Sequence, residues 1–312
     1  MRWIKHGVIF APDHTFPWMA SHASLPVAAH VDGGVLRIYF GTRDEQNRSR
    51  IAAVDVDADH PETILKLHDR PLLPLGKLGT FDDSGTAPSW VVIDGAVVYL
   101  YYIGWNPEVT VPYRLSIGLA LSVDGGMSFE RCSAGPICDR DVDEPYFNTS
   151  PCVLRDGNMW RMWYTSCTAW DMVNGRPEPR YHVKYAESAD GIRWRRSGVV
   201  CIDYEDVDDA IGRPCVFVED GRYKMLYSHR KMTGYRTDPA HSYRLGYAES
   251  SDGLMWTRKD SEVGIARSPT GWDSQMIEYC HRFRHGDRTY LLYNGNGFGA
   301  SGFGYAVLAD DA

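Results

Sequence analysis

Long hydrophobic runs are missing from this 312-residue chain: no stretch approaches the eighteen apolar residues of a membrane-crossing helix, and Met1 to Phe16 has no apolar core of the kind a secretory leader carries. A soluble, cytoplasmic protein with no membrane partner is expected. Positive charge is also short. Thirty-three Lys and Arg stand against forty-one Asp and Glu, a formal net charge of −8, which argues against a nucleic-acid partner needing a basic face. The seven cysteines include no Cys-x-x-Cys pair, so neither a disulfide framework nor a zinc site is expected. No phosphate-cradling Gly-rich loop leads into a helix, and no His-Glu-x-x-His or Gly-x-Ser-x-Gly occurs; Asn294-Gly295-Asn296-Gly297 lies at a strand end. Nicotinamide, flavin and zinc chemistry lack support, and no cofactor is expected. A structural ion in a central channel is left open.

What the chain has in plenty is repetition. Ser150 to Trp194 reads as four strands: the apolar run Pro151 to Leu154, a turn at Asp156-Gly157, the alternating stretch Trp160 to Tyr164, a long loop, then Val183 to Ser188, a turn at Asp190-Gly191, and a strand starting at Arg193. The opening proline recurs as Pro26, Pro88, Pro151 and Pro214, with Tyr279 at the equivalent place in a fifth copy. Cys152, Cys215 and Cys280 follow that place and read as small buried residues of inner strands. Five four-stranded antiparallel units predict an all-β fold, a five-bladed β-propeller in one domain over 1–312, with inner strands beginning near Ser24, Thr86, Thr149, Gly212 and Ile277. The fifth copy stops after its third strand, and Arg2 to Ile9 looks like the fourth strand at Arg193 to Val200. The N-terminal strand is therefore expected to close blade five.

Repetition also sorts the candidates for a site on the central face. What recurs at one position is architecture; what departs from it is a better candidate for function. Asp82, Asp208 and Asp273 all stand six residues before the proline place and read as turn caps, a reading that extends in part to Asp83 and Asp209. Glu144 and Asn148 have no counterparts. Immediately before the proline place stand Leu25, Ala87, Ser150, Arg213 and Glu278, two charges among small or apolar groups, which are placed to pair with each other or to serve a site. Two residues beyond the second-strand tyrosine come Gly41, Gly104, Ser166, His229 and Gly295, so His229 replaces a glycine. The acid and base candidates are Glu144 and Glu278, then Asp83 and Asp209. Arg213, His229 and Arg230 are expected to hold an anionic group, with His22, Arg43 and Asn148 as further binding residues and Trp105 and Trp170 as stacking surfaces for sugar.

The repeat, its Asp-Gly turns and the Tyr-Ala-Glu-Ser-x-Asp-Gly-x-x-Trp sequence at Tyr185 to Trp194 and Tyr247 to Trp256 resemble the five-bladed propeller glycosidases, a group of arabinanases, xylosidases, invertases and mannoside phosphorylases. The resemblance implies a carbohydrate or sugar-phosphate substrate and cleavage or transfer at a glycosidic bond. In hydrolases of that group an Asp directly before the blade-one proline is base or nucleophile, with further acids at later blade starts. Here those places hold Leu25, Ser150 and Arg213. Hydrolysis by a carboxylate pair would have to use displaced acids, whereas phosphorolysis needs one protein acid and cations for phosphate, a demand that Arg43, Arg213, His229, Arg230 and Lys231 fit. A non-catalytic sugar-binding propeller, or a lyase, isomerase or transferase for an activated or acidic sugar, are the alternatives.

Overall fold

Alternating side chains and tight Gly turns produce an almost wholly β structure, seen here in a computed structural model that describes residues 1–206 and 209–309. Asp208 lies outside the described residues. The first meander joins Ser21–Asp32, Val35–Arg43, Ser49–Asp57 and Ile64–Leu67; the second joins Gly85–Asp94, Val97–Pro107, Tyr113–Ser122 and Glu130–Arg131. One parallel bridge, Ser49 to Gly85, links these two into an eight-stranded sheet. The third sheet comprises Asn148–Asp156, Met159–Val173, Arg176–Ser188 and Arg195–Ile202, and the fourth Asp209–Glu219, Arg222–Lys231, Arg244–Ser250 and Thr257–Arg258. Glu278–His285, Arg288–Asn294 and Phe303–Leu308 form the last sheet. Its fourth strand is the N-terminal Trp3–Phe10, paired antiparallel from Trp3 with Leu308 to Phe10 with Phe303. Trp3 Nε1 also donates to the Val263 carbonyl at 3.0 Å, and Lys5 reaches Asp273 at 2.5 Å.

The repeated Ser-x-Asp-Gly sequence works as a fastener between neighbouring sheets. Ser122, Ser188 and Ser250 each donate to the aspartate two residues on, at 2.6, 2.9 and 2.9 Å, and accept backbone N–H groups of the turn. The turn carbonyls of Gly126, Gly191 and Gly253 are thereby aimed back at the preceding sheet, where Tyr39 Oη, Tyr101 Oη and Trp163 Nε1 donate to them at 3.3, 3.0 and 2.7 Å. At Gly126 the backbone has φ of +79°, and a Cβ would stand 2.1 Å from the Tyr39 oxygen, so a side chain is excluded twice over.

The expected long loop between Cys167 and Arg180 is instead a continuation of the two middle strands of the third sheet, turned at Asn174-Gly175, both of positive φ. Asn-Gly is the strongest short hairpin signal, and the sequence displays it openly.

One register detail changes the repeat alignment. In the fourth sheet Gly212 pairs Ser228 but Cys215 pairs Leu226; in the last, Glu278 pairs Asn294 but His281 pairs Leu292. Tyr279, not Glu278, is thus the equivalent of Arg213, and all of Leu25, Ser150, Arg213 and Tyr279 are left-handed, with φ of 56, 49, 55 and 55°. Cys280 takes the proline place. In the first sheet Ser24 pairs Gly41, which makes Phe40 the equivalent of Tyr164, Tyr227 and Tyr293, and Thr42 rather than Gly41 the equivalent of His229. Cys152, Cys215 and Cys280 are buried, as small inner-strand residues should be, and all seven cysteines are free.

Candidate functional site

The bulged inner strands converge on a cavity of about 590 Å³. Ser24, Leu25, Ala87, Thr149, Ser150, Gly212, Arg213 and Tyr279 contribute to it from the starts of those strands, the second strands and their loops add Arg43, Trp105 and Arg236, and Arg176 comes from the start of a third strand. Aromatic groups make much of the wall: Tyr113, Phe147, Tyr181, Tyr235, Tyr243 and Phe298 join Trp105 and Tyr279. Among the described residues four arginines line the cavity, and no Asp or Glu does.

The guanidiniums are held in different ways. Arg236 Nε and Nη2 bond Glu178 at 3.0 and 3.1 Å, and Arg176 lies 3.6 Å from the same carboxylate, which also accepts from Tyr235 at 2.5 Å. Burial would raise the Glu178 pKa, but the Arg236 hydrogen bonds hold it below its ordinary value. Arg43 bonds Asn47 at 3.2 Å, and neither Arg43 nor Arg213 has a carboxylate within ion-pairing distance among the described residues. Burial lowers the pKa of both. They do not pair with Glu278: Arg213 donates to the carbonyl and hydroxyl of Ser89 at 2.5 and 2.7 Å.

Glu278 sits behind the wall formed by Leu25, Arg43 and Tyr279. It is fully buried, accepts one bond at 2.8 Å from Asn294 Nδ2, and leaves Oε2 without a partner. Burial pushes its pKa up to about 8, against the opposing pull of Asn294, Tyr279 and the nearby arginines. It is therefore a carboxylic acid at neutral pH. Asn294 completes the wall, its Oδ1 accepting from the Leu25 N–H at 3.1 Å.

Glu144 belongs elsewhere, which corrects its selection as an acid without counterpart. Its carboxylate accepts from Tyr164 at 2.8 Å and Ser166 at 2.9 Å, and faces Lys184 at 3.3 Å and Arg196 at 3.6 Å. The pattern recurs in three other sheets. Tyr102 donates to Asp82, Tyr227 to Asp260 and Tyr293 to Asp273, and each carboxylate also meets a cation: Arg131, Arg258 and Lys5. With Cys280 at the proline place, Asp273 and Glu144 both stand seven residues before it. Glu144 is a part of the blade architecture.

Arg230 is also corrected. Its Nε contacts Tyr181 and Tyr243 hydroxyls at 3.1 and 3.2 Å, Nη1 and Nη2 donate to the carbonyls of Lys231 and Pro179, and the plane lies 3.8 Å over Tyr235. It orders three cavity tyrosines, and each of its three guanidinium nitrogens already donates within the protein. Asp83 caps a loop: the Gly79 N–H, then Ser84 and Asn106, hold its pKa below the ordinary value, the opposite of a stored proton. Asp209 pairs Lys231 at 2.7 Å. Asn148 donates to the Asp139 carbonyl at 3.0 Å, and Trp170 packs on Tyr113 and Phe147; neither lines the cavity. His229 is half-buried outside the lining, its pKa lowered by burial. His22 has positive φ, bonds Ser21 at 2.9 Å, and is driven to a pKa of about 4 by burial and by Arg43. Of the sequence candidates, Arg43, Trp105 and Arg213 line the cavity, with Glu278 directly behind. Tyr181, Tyr235, Tyr243, Tyr279, Arg176 and Arg236 escaped selection, although the Asn174-Gly175 hairpin was the available signal for Arg176.

No family model matches the chain. Two proteins of Mycobacterium tuberculosis match along its whole length: uncharacterized protein MT1551 of strain CDC 1551 / Oshkosh, 41% identical over 309 residues, and uncharacterized protein Rv1502 of strain ATCC 25618 / H37Rv, 40% identical, each match covering 99% of both proteins. The chain belongs to their family. Among solved structures, a glycoside hydrolase superposes with a TM-score of 0.73 at 16% identity over 97% of this chain and 90% of that one. A member of the GH130 family of mannoside phosphorylases, a family that also contains glycoside hydrolases targeting β-1,2 mannosidic linkages, gives 0.72 at 15% over 99% and 96%, and an arabinanase of Penicillium chrysogenum complexed with arabinobiose gives 0.62 at 14% over 99% and 98%. The chain shares the propeller fold of these structures.

Proposed function

We propose that this protein acts on a carbohydrate bearing an anionic group, held in the central cavity, and that it cleaves or transfers a glycosidic bond with a single protein acid. The observation that carries the reading is the lining: four arginines, five tyrosines and no carboxylate. Hydrolysis by the usual route needs two carboxyl groups flanking the bond, about 5 to 9.5 Å apart. Such a pair has no place in this wall. A phosphorylase-like transfer needs one proton donor and a cationic seat for phosphate. Glu278, protonated near neutral pH, supplies the first from behind Tyr279 and Arg43, and the unpaired guanidiniums supply the second. Trp105 and the tyrosines offer ring faces and hydroxyls to a sugar. The likeness in fold to glycoside hydrolases, and to a GH130 family that contains both mannoside phosphorylases and hydrolases, supports a carbohydrate substrate.

The complete burial of Glu278 favours a second reading, a propeller that binds such a sugar without turnover. The test is calorimetric titration with neutral oligosaccharides, uronic acids and sugar phosphates, followed by prolonged incubation of every binder with and without inorganic phosphate. Release of a sugar 1-phosphate supports the transfer reading; saturable binding with unchanged sugar supports the binder. Binding of neutral oligosaccharides alone would overturn the role given to the arginines.

A further inference from the structure

The wall of the cavity is unevenly made. The second meander lends it only Ala87, Ile103, Trp105, Pro112, Tyr113 and Leu115, with no charge, no amide and no aliphatic hydroxyl among them. The four arginines come from the first, third and fourth sheets and their loops, and every Ser, Thr and Asn of the lining comes from the first and third. Ala87, Trp105, Pro112, Tyr113 and Leu115 are only half-buried, so part of their apolar surface is left open to the cavity. Tyr113 and Leu115 rest on a hydrophobic cluster that includes Phe147 and Cys167, with the Trp170 ring 5.3 Å from that of Tyr113. The apolar surface also continues outward. Pro112 belongs to the loop between Val97–Pro107 and Tyr113–Ser122, and in that loop Val109 is 99% exposed.

A sugar turned toward this wall would set its hydroxyls against side chains that cannot bond them, and a buried hydroxyl without a partner weakens binding. Open apolar surface inside a cavity is answered by apolar surface on the ligand. We propose that the ligand is amphiphilic: its anionic, sugar-bearing part faces the arginines, and an alkyl or acyl chain joined to it lies along the second meander, over Ala87, Pro112 and Leu115, and leaves past Val109. Four of the six residues that the meander supplies are aliphatic, which suits a chain better than a second ring. The cavity, at about 590 Å³, is of the size that encloses a drug-sized ligand. That the polar part is a sugar rests on the carbohydrate reading; the chain does not.

The test is calorimetric titration of the full chain with propionate, pentanoate and heptanoate at constant ionic strength. The arginines meet the same carboxylate in all of them, so only the length of the chain varies. Affinity is expected to rise about threefold per added methylene. Leu115→Asn and Ala87→Ser each put a polar group on the wall, and should flatten that rise while leaving propionate affinity unchanged. Arg43→Gln should weaken every acid alike and keep the rise. Ala87→Ser, nearly isosteric, covers the case of a Leu115→Asn chain that fails to fold. Absence of heptanoate binding, affinity that does not grow with chain length, or a rise that survives intact in the polar-wall variants would each overturn the proposal. If the acids bind with a gain for each methylene and no carbohydrate binds, the apolar half stands and the carbohydrate reading falls. If carbohydrates bind and the acids show no dependence on length, the reverse holds.

Discussion

Glu144 and Glu278 are both buried glutamates at the start of a repeat, yet their surroundings are opposites. Glu144 has a tyrosine, a serine and two cations around its two oxygens. Glu278 has one asparagine, an empty oxygen, and enough burial to keep its proton at neutral pH. The first environment recurs around Asp82, Asp260 and Asp273, so it is how this scaffold fastens a blade. The second occurs once, beside a cavity lined by arginine. Burial alone therefore says little about function; the number of partners for the buried charge separates a fastener from a reagent.

The comparison breaks most sharply at Glu144. Glu144→Ala strips Lys184 of its carboxylate, leaves Arg196 with Asp141 alone, and should cost about 3 kcal/mol in urea unfolding, the low end for a buried pair stripped of one partner. A loss under about 1 kcal/mol would mean that the network is not structural.

Glu278→Gln should behave otherwise. The folded protein keeps this proton up to about pH 8, while the unfolded chain releases it near the ordinary value of 4.5, so between these values the folded state binds more protons. Stability thus falls as pH rises through that window, by up to about 1.4 kcal/mol per pH unit from this group. The glutamine variant should lose that slope and, in the transfer reading, turnover with it. An unchanged pH dependence of unfolding would place the Glu278 pKa near its ordinary value and end its claim as the acid.

Tyr293→Phe and Tyr102→Phe sharpen the same contrast from the architectural side. Each removes a hydroxyl bonded to a carboxylate, at 3.1 and 2.8 Å, and should cost about 2 kcal/mol while leaving ligand affinity unchanged. The first sheet already manages with Phe40 in this position, which limits the damage. The smallest effect is expected at Asp83→Asn. The loop cap survives in weakened form, and unfolding should shift by about 0.5 kcal/mol with no change in binding or turnover. A tenfold loss of activity there would return Asp83 to the site.

Much of the fold was legible because its signals are local. Ser-x-Asp-Gly turns close on their own backbone, and the pairing of Trp3–Phe10 with Phe303–Leu308 followed from the likeness of Arg2 to Ile9 to a fourth strand. The site was legible only in part. Arg213 and Glu278 could be reached by asking which residues depart from their repeat, and Arg43 and Trp105 from the loops after the second strands, but the first question misleads at Glu144 because spacing alone aligns the fifth copy one residue early. Tyr279 takes the place given to Glu278, and Asp273 then falls in line with Glu144. Arg230 misleads for another reason: a cation beside a site in sequence has all three guanidinium nitrogens bonded within the protein, to tyrosines and carbonyls above all.

The sequence by itself determined the strands, the turns, the repeat and the closing role of the first strand, since alternation and turn chemistry act over a few residues and need no knowledge of the neighbouring sheet. Only the tertiary structure decided which charges meet. At the inner bulges two residues face one, and that slip, invisible in spacing alone, places Arg213 and Tyr279 in the cavity lining and sets Glu278 behind the wall. Whether a buried charge is answered depends on what the neighbouring strands of its own sheet bring within about 3 Å of it, and no local pattern carries that information.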